Sequence, residues 1–163
     1  MNRLVSHLSV CCLSILTLSH TFAASEQPGT EKQPTCAILT FDAKGGVAKD
    51  EASLLSDRFA IEFQKIGTYT LVNRSKMVEV LKEQGFSSMD NCSASECAIE
   101  AGKMLAAEFI VYGSVGKIGS MYTVNTNMVN VENGKTEKSA TTGHEGRIEE
   151  LLKVAMKENA RSL

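Results

Sequence analysis

The most constraining feature of this 163-residue sequence is a short run, residues 109–115 (FIVYGSV), that is apolar on both faces through Val111. A strand with one solvent-facing side alternates apolar and polar residues, whereas a strand that is covered on both sides does not. The run therefore predicts an interior strand that is paired at both edges and has helices above and below it. The rest of the chain must supply those strands and helices.

Upstream of this run the sequence predicts a strand, a helix and a second strand. Residues 36–41 (CAILTF) and 68–72 (TYTLV) are the two strands. Between them we expect a helix that is N-capped by Asp50 and ends at Gly67. Its apolar residues recur at spacings of three and four: Ala52, Leu55, Phe59, Phe63 and Ile66. A strand–helix–strand connection of this length predicts a parallel pair with a right-handed crossover.

A second helix is predicted to begin after Ser75, its N-cap. Its inward residues are Met77, Val80 and Leu81. Gly85 and Phe86 match a Schellman ending, in which the glycine adopts the left-handed conformation and the next residue packs on Leu81.

A third helix is predicted to begin with a capping box, Ser93-x-x-Glu96. With Ser93 as the N-cap, Cys92 precedes the cap and Cys97 is the fourth helical position, the two sites that a hydrophobic staple brings together. We expect a structural disulfide between Cys92 and Cys97, worth about 2 kcal/mol on a chain-entropy estimate. A redox-active pair is an alternative, although such pairs usually have two intervening residues rather than four.

The remaining sequence predicts two hairpins and a helix. Residues 117–120 (KIGS) turn the chain into a strand at 121–131, whose inward set changes phase between Met128 and Val129, as a β-bulge would produce. Asn133-Gly134 predicts a second turn, residues 135–141 a polar edge strand, and Gly143 a break in the chain. One apolar face marks the last helix: Ile148, Leu151, Leu152, Ala155 and Met156.

The elements follow the order β-α-β-α-α-β-β-β-α. This order predicts an α/β (α+β) fold in which helices pack against a mixed sheet. The helices are long enough and the strands apolar enough to form one core over residues 36–163.

The first 23 residues are typical of a secretory signal peptide. Arg3 supplies the charge, residues 4–18 are mostly apolar, and small residues end at Ala23, the expected cleavage site. A membrane anchor is the competing interpretation, but the apolar run is shorter than the ~20 residues that a span needs. Neither Cys11 nor Cys12 stands in the context of a lipoprotein signal, so we expect no lipid anchor. Residues 24–35 are polar and predict a flexible leader before the domain at 36–163.

The composition argues against nucleic-acid binding and offers few residues for a metal site. The net charge of −2, with no basic run, argues against a nucleic-acid footprint. Metal ligation at Cys92 and Cys97 would need two more ligands, and Cys36 and His144 come from distant elements. We expect Cys36 to be a buried free thiol and His144 an exposed residue without a role.

No cofactor-binding or catalytic constellation is evident. The series Gly113-x-x-Gly116-x-x-Gly119 leads from one strand into another, with no helix N-terminus to bind a phosphate. No serine or cysteine has the context of a nucleophile. The sequence therefore predicts a protein that is not an enzyme and binds no cofactor.

Several segments in a fixed order carry a resemblance to a known family. They are residues 36–42 (CAILTFD), 55–59 (LSDRF), 71–75 (LVNRS), 77–86 (MVEVLKEQGF), 96–98 (ECA), 102–106 (GKMLA), 109–114 (FIVYGS) and 129–134 (VNVENG). Together they resemble the CsgG-like family, the curli production assembly/transport component. That family is related to LpoB-type activators of penicillin-binding proteins and to the amino-terminal domain of TolB.

The resemblance implies a periplasmic module, or one peripherally associated with the outer membrane, that binds envelope proteins without catalysis and assists outer-membrane assembly, secretion or cell-wall synthesis. Family channels carry inserted amphipathic hairpins, whereas every predicted connection inside this domain is short. A subunit of a curli-type secretion pore and a thiol redox protein that uses Cys92 and Cys97 are the alternatives. Homo-oligomerisation stays open.

Overall fold

The computed structural model describes residues 32–86 and 94–163 of the chain. In this part a six-stranded mixed sheet has the order β3-β1-β4-β5-β6, and the short β2 also pairs with β4. The strands are β1 (Thr35–Ile38), β2 (Asp42–Ala43), β3 (Thr70–Leu71), β4 (Phe109–Ile118), β5 (Met121–Asn130) and β6 (Thr136–Glu145). The predicted α/β class with a mixed sheet is confirmed.

Strand β4 is the interior strand that the apolar run predicts. It pairs in parallel with β1 and antiparallel with β5. Ile110 and Val111 point to opposite faces of the sheet and are both fully buried. One lies in the core beneath each helical layer.

Helices cover both faces of the sheet. On one face lie α1 (Lys49–Gln64) and a continuous C-terminal helix, which consists of α4 (Ile148–Glu150), a π-helical segment (Leu151–Ala155) and α5 (Met156–Ser162). On the other lie α2 (Arg74–Glu83) and α3 (Ser95–Met104). The predicted apolar face of the last helix is confirmed, since Leu151, Ala155 and Met156 are buried.

The limits of α1 differ from the prediction at both ends. Ala48, not Asp50, is the N-cap, and the Glu51 carboxylate accepts a hydrogen bond from the Ala48 N–H at 2.8 Å. The glutamate therefore satisfies the amide of a residue whose own side chain cannot cap. The helix ends at Gln64, so the predicted inward residue Ile66 lies beyond it and is exposed.

Helix α2 begins two residues before the expected position. Asn73 is the N-cap, and its side-chain oxygen accepts from the Lys76 N–H at 3.2 Å, so the prediction of Ser75 as the cap is wrong. The predicted Schellman ending is confirmed. The Phe86 N–H donates to the Leu81 carbonyl at 2.9 Å, and Gly85 has a φ of 72°.

Helix α3 begins at Ser95, with Ala94 as its N-cap. The predicted capping box at Ser93 is therefore wrong, and Cys97 is the third rather than the fourth helical residue. Cys92 and Ser93 lie outside the described residues. The Cys92–Cys97 disulfide stays a prediction.

The two C-terminal hairpins confirm one prediction and correct another. The register shifts between Met128 and Val129, so the predicted bulge is confirmed. Strand β6, however, continues to Glu145 and contains Gly143, which pairs with Thr123 in regular register. The expectation that Gly143 breaks the chain is therefore wrong, because ladder pairing with β5 extends the strand past it.

A buried polar cluster joins the C-terminal helix to the sheet. Asn159 is fully buried, and its side-chain oxygen accepts from the Thr126 hydroxyl at 2.6 Å. Its amide nitrogen donates to the Val124 carbonyl and the Thr142 hydroxyl, each at 3.2 Å. These three bonds fix where the helix crosses β5 and β6.

Candidate interaction surface

Helix α1 and the C-terminal helix lie side by side in the same direction. Their first turns line one groove of about 180 Å³, formed by Glu51, Leu54, Leu55, Ile148, Glu149 and Leu152. Their last turns line another of about 470 Å³, formed by Glu62, Lys65, Ile66, Lys157 and Arg161. We refer to the solvent-facing surface of these two helices, centred on Leu54, Ile61 and Val154, as the two-helix face.

Large apolar side chains are exposed along the two-helix face. Leu54 is 61% exposed and Ile61 is 49% exposed. These two residues are two helical turns apart on α1 and therefore lie on the same side of the helix. Val154, on the neighbouring helix, is 54% exposed. Single exposed apolar residues are ordinary on a protein surface, but a group on adjacent helices is typical of a binding surface.

Val154 belongs to the π-helical segment of the C-terminal helix. In this segment the Met156 N–H donates to the Leu151 carbonyl, five residues earlier. One extra residue is thereby accommodated in the turn, while Leu151 and Ala155 stay buried against the sheet. Such π-bulges are often found at functional sites. Val154 lies on the exposed side of this segment.

The N-terminal end of the two-helix face carries acidic residues. Asp50 and Glu51 lie in the first turn of α1, and Glu149 and Glu150 in the first turn of α4. Glu149 is bound by Arg147, whose hydrogen bonds lower the pKa of this carboxyl.

His144 also lies at the acidic end of the two-helix face. Its Nε2 is 2.8 Å from the carboxylate oxygen Oε2 of Glu150. The His144 side chain is only 23% exposed, so the expectation that it is exposed is wrong, whereas the expectation that it has no functional role stays a prediction.

The C-terminal end of the same face carries basic residues. Glu62 is buried there. Its carboxylate oxygen Oε1 lies 2.7 Å from Nη2 of Arg58 and 2.8 Å from Nζ of Lys65. The hydrogen bond from Lys65 is the main reason that the pKa of Glu62 is lowered, and the charge of Arg58 adds to it. Lys157 and Arg161 are exposed, and in the described part of the chain neither forms an ion pair. The end is therefore net positive.

A second, smaller apolar spot lies at the β4–β5 turn. Ile118 is 83% exposed and Met121 is partly exposed, on either side of a two-residue turn. The Lys117 ammonium lies 4.9 Å from the centre of the Tyr122 ring. This spot has only two large apolar residues, so it offers much less area than the two-helix face.

The residues singled out for chemistry do not converge. Cys36 is a free, fully buried thiol in β1, as predicted, and burial raises its pKa to about 12. Gly113 and Gly116 lie within β4 and Gly119 in the turn that follows, as predicted. Within residues 32–86 and 94–163, no group of three or more metal-ligating side chains is present. In the same residues no helix has the length and apolar character of a membrane span.

Sequence reasoning missed the two-helix face. The periodic pattern of α1 predicts its buried stripe and leaves the opposite side of the helix undescribed. The spacing of seven between Leu54 and Ile61, on the side away from Phe59, was the available signal. Nothing in the sequence pattern distinguishes the π-helical segment from an ordinary helix. The exposure of Val154 could therefore not be predicted from the sequence.

Comparisons with known proteins identify the fold. No family model and no curated protein sequence matches the chain. The C-terminal domain of LpoB from Escherichia coli is similar in structure, with a TM-score of 0.56 and 17% identity over 74% of this chain and 88% of that one. Lipoprotein GNA1162 from Neisseria meningitidis has a TM-score of 0.58 and 13% identity over 80% and 99% of the two chains. The chain therefore has the fold of the LpoB C-terminal domain.

TolB from Acinetobacter baumannii is a weaker match. Its TM-score is 0.47 and its identity 12%, over 80% of this chain and 29% of TolB.

Proposed function

We propose that this chain is an exported, non-catalytic protein-interaction module of the cell envelope, and that the two-helix face is its binding surface. The observation that carries the proposal is the exposure of Leu54, Ile61 and Val154 on two adjacent helices, between an acidic end and a basic end. Apolar area at the centre with charged residues around it is the usual composition of a protein interface.

The resemblance to the LpoB-type and CsgG-like proteins supports the same role. Those proteins act in the envelope by binding other proteins, and the predicted signal peptide at residues 1–23 directs this chain to the same compartment. The module would assist outer-membrane assembly, secretion or cell-wall synthesis. We propose a periplasmic location, with peripheral attachment to the outer membrane only through a partner.

The proposal is tested by capture of partners from an envelope extract. The bait is the mature chain, and the variant carries Ile61→Asp with Val154→Asp, which places two charges at the centre of the two-helix face. Val78→Asp is the matched control, since Val78 is also an exposed apolar helical residue but lies on α2, across the sheet. We expect the wild type and the control to retain the same envelope proteins, and the double variant to lose them.

Two outcomes would contradict the proposal. One is a folded wild-type bait that retains no protein. The other is a double variant that retains every partner of the wild type, since the partners would then bind elsewhere. Folding of each bait is checked by circular dichroism before the extract is applied.

A subunit of a secretion pore is the second candidate function. It requires copies of the chain to associate, and the charge distribution on the two-helix face favours association. Electron microscopy in detergent separates the two functions, because a pore subunit forms closed rings whereas a module of the kind proposed does not. Nothing in residues 32–86 and 94–163 favours the redox alternative, since Cys36 is buried and Cys92 lies outside them.

A further inference from the structure

We propose that the two-helix face binds a second copy of this chain, in a two-fold symmetric dimer with the helices of the two copies antiparallel. The inference rests on the proposed function, in that it assigns a partner to the same face. It follows from the order of charges along that face, which is self-complementary.

The charges on the two helices change sign from one end to the other. Asp50 and Glu150 lie at the N-terminal end, and Lys157 and Arg161 at the C-terminal end. Compensation of the helix dipoles accounts for these signs on each helix taken alone. It does not account for the exposed apolar side chains between the two ends. An interface accounts for both, because it buries the apolar centre and pairs the charged ends.

Only one of the two symmetric arrangements pairs opposite charges. When the two-fold axis lies in the interface and perpendicular to the helices, α1 packs on α1 of the second copy in the opposite direction. Asp50 then faces the end that carries Lys65, and Glu150 faces the end that carries Lys157 and Arg161. An axis parallel to the helices would bring like charges together, at a cost in binding energy.

The centre of the interface also fits this arrangement. Val154 lies between Glu150 and Lys157, so it falls near the axis and meets Val154 of the second copy. On α1, Leu54 meets Ile61 of the second copy. Arg58 lies near the axis as well, but its charge is compensated by Glu62 at 2.7 Å. Lys153, which is exposed beside Val154, also lies near the axis, and it is the charge that opposes this arrangement.

The size of the face predicts a weak dimer. A helix of 16 residues is about 24 Å long, and two helices side by side are roughly 20 Å wide. The resulting footprint of about 500 Å² per copy lies below the ~800 Å² of a standard specific interface. We therefore expect a reversible dimer at micromolar concentrations that dissociates as salt screens the charges at its ends.

Two charge-reversal variants test the arrangement. In the first, Asp50→Lys and Glu150→Lys make both ends basic. In the second, Lys157→Glu and Arg161→Glu make both ends acidic. Each reversal acts twice in a symmetric dimer, so we expect self-association to weaken roughly 10- to 100-fold in each variant. Glu79→Lys with Glu83→Lys, on α2, is the matched control for the change in net charge.

The decisive sample is an equimolar mixture of the two variants. Each end of one then faces the opposite charge on the other, so the mixture is expected to form a heterodimer although neither variant dimerises alone. Sedimentation velocity of the mature chain, at 50 and 500 mM NaCl, measures this. Recovery in the mixture also shows that both variants are folded.

Several results would overturn the self-association proposal. They are a wild type that stays monomeric at 50 mM NaCl up to the highest soluble concentration, variants that associate as the wild type does, or a mixture that stays monomeric. The proposed function fails separately, when Ile61→Asp with Val154→Asp leaves the capture of envelope proteins unchanged. A monomeric wild type that still captures partners through Val154 would contradict the dimer alone.

Discussion

At the scale of single residues, Asn159 does most to fix the C-terminal helix. It is buried and uses both polar atoms of its amide in three hydrogen bonds to β5 and β6. Replacement by leucine leaves the Val124 carbonyl and two hydroxyls without this partner, and a buried unsatisfied group costs about 1–3 kcal/mol. We expect Asn159→Leu to lower the free energy of unfolding in urea by about 2–4 kcal/mol.

The matched control for Asn159→Leu is Ser162→Ala. Ser162 lies on the same helix one turn later, but it is exposed and bonds only its own helix backbone. Its loss should change stability by less than about 0.5 kcal/mol. Equal effects of the two substitutions would show that the buried amide has no special role.

Glu62 predicts how stability depends on acid. Its pKa in the folded protein is lowered from 4.5, first by the hydrogen bond from Lys65. A carboxyl with a lowered folded pKa contributes stability above its unfolded pKa, and that contribution is lost as the pH falls through the folded value. We expect Glu62→Gln to lower the Tm at pH 6 and to have a smaller effect at pH 3. A difference in Tm that does not change between these pH values would contradict the assignment.

Cys36 is predicted to be inert while the chain is folded. Burial raises its pKa to about 12, and only the thiolate reacts with alkylating reagents. After treatment with iodoacetamide at pH 8, peptide mapping should find Cys36 unmodified in native protein and alkylated in 8 M urea. Rapid alkylation of the native protein would show that β1 opens readily.

At the scale of elements, the two glycines of β4 have different roles. A Cβ at Gly113 would lie 2.1 Å from the Asn125 carbonyl oxygen in β5, whereas one at Gly116 would lie 3.7 Å from a Lys44 side-chain atom. Gly113→Ala must therefore push the paired strands apart, and we expect it to cost about 3 kcal/mol or more. Gly116→Ala should be tolerated within about 1 kcal/mol, and urea unfolding of both variants compares them. Equal costs would show that β4 and β5 do not approach as closely as described.

Elements whose residues follow a simple period were predictable from sequence. The both-face apolar run identified β4, the stripe from Ala52 to Phe63 identified the buried side of α1, and Gly85 with Phe86 identified the end of α2. Each of these depends on residues close in the sequence. In each of these elements the residues that the local pattern predicts to be buried are also the ones that the tertiary contacts bury.

Elements that depend on one hydrogen bond or on distant partners were not predictable in the same way. The start of α1 depends on Glu51 reaching back to Ala48, where the sequence offers the better capping residue Asp50. The length of β6 depends on pairing with β5, which overrides the local signal of Gly143. The burial of Asn159 depends on Thr126 and Thr142, which come from two different strands.

At the scale of the whole molecule, the two faces of the sheet serve different purposes in this account. The helices α2 and α3 cover the sheet and carry few exposed apolar side chains. Helix α1 and the C-terminal helix cover the other side of the sheet, and their two-helix face in addition presents Leu54, Ile61 and Val154 to solvent. We propose that the chain works through its surface and that the outer side of α1 and the C-terminal helix is the part that binds.

The most direct test of this claim is photo-crosslinking in living cells. A benzoylphenylalanine residue at position 154 lies at the centre of the two-helix face, and one at position 138, an exposed position in β6, is the control. We predict discrete crosslinked species from position 154 that contain a second copy of this chain or an envelope protein, and none from position 138. Equal crosslinking at both positions, or none at position 154 in a stably expressed protein, would contradict the account.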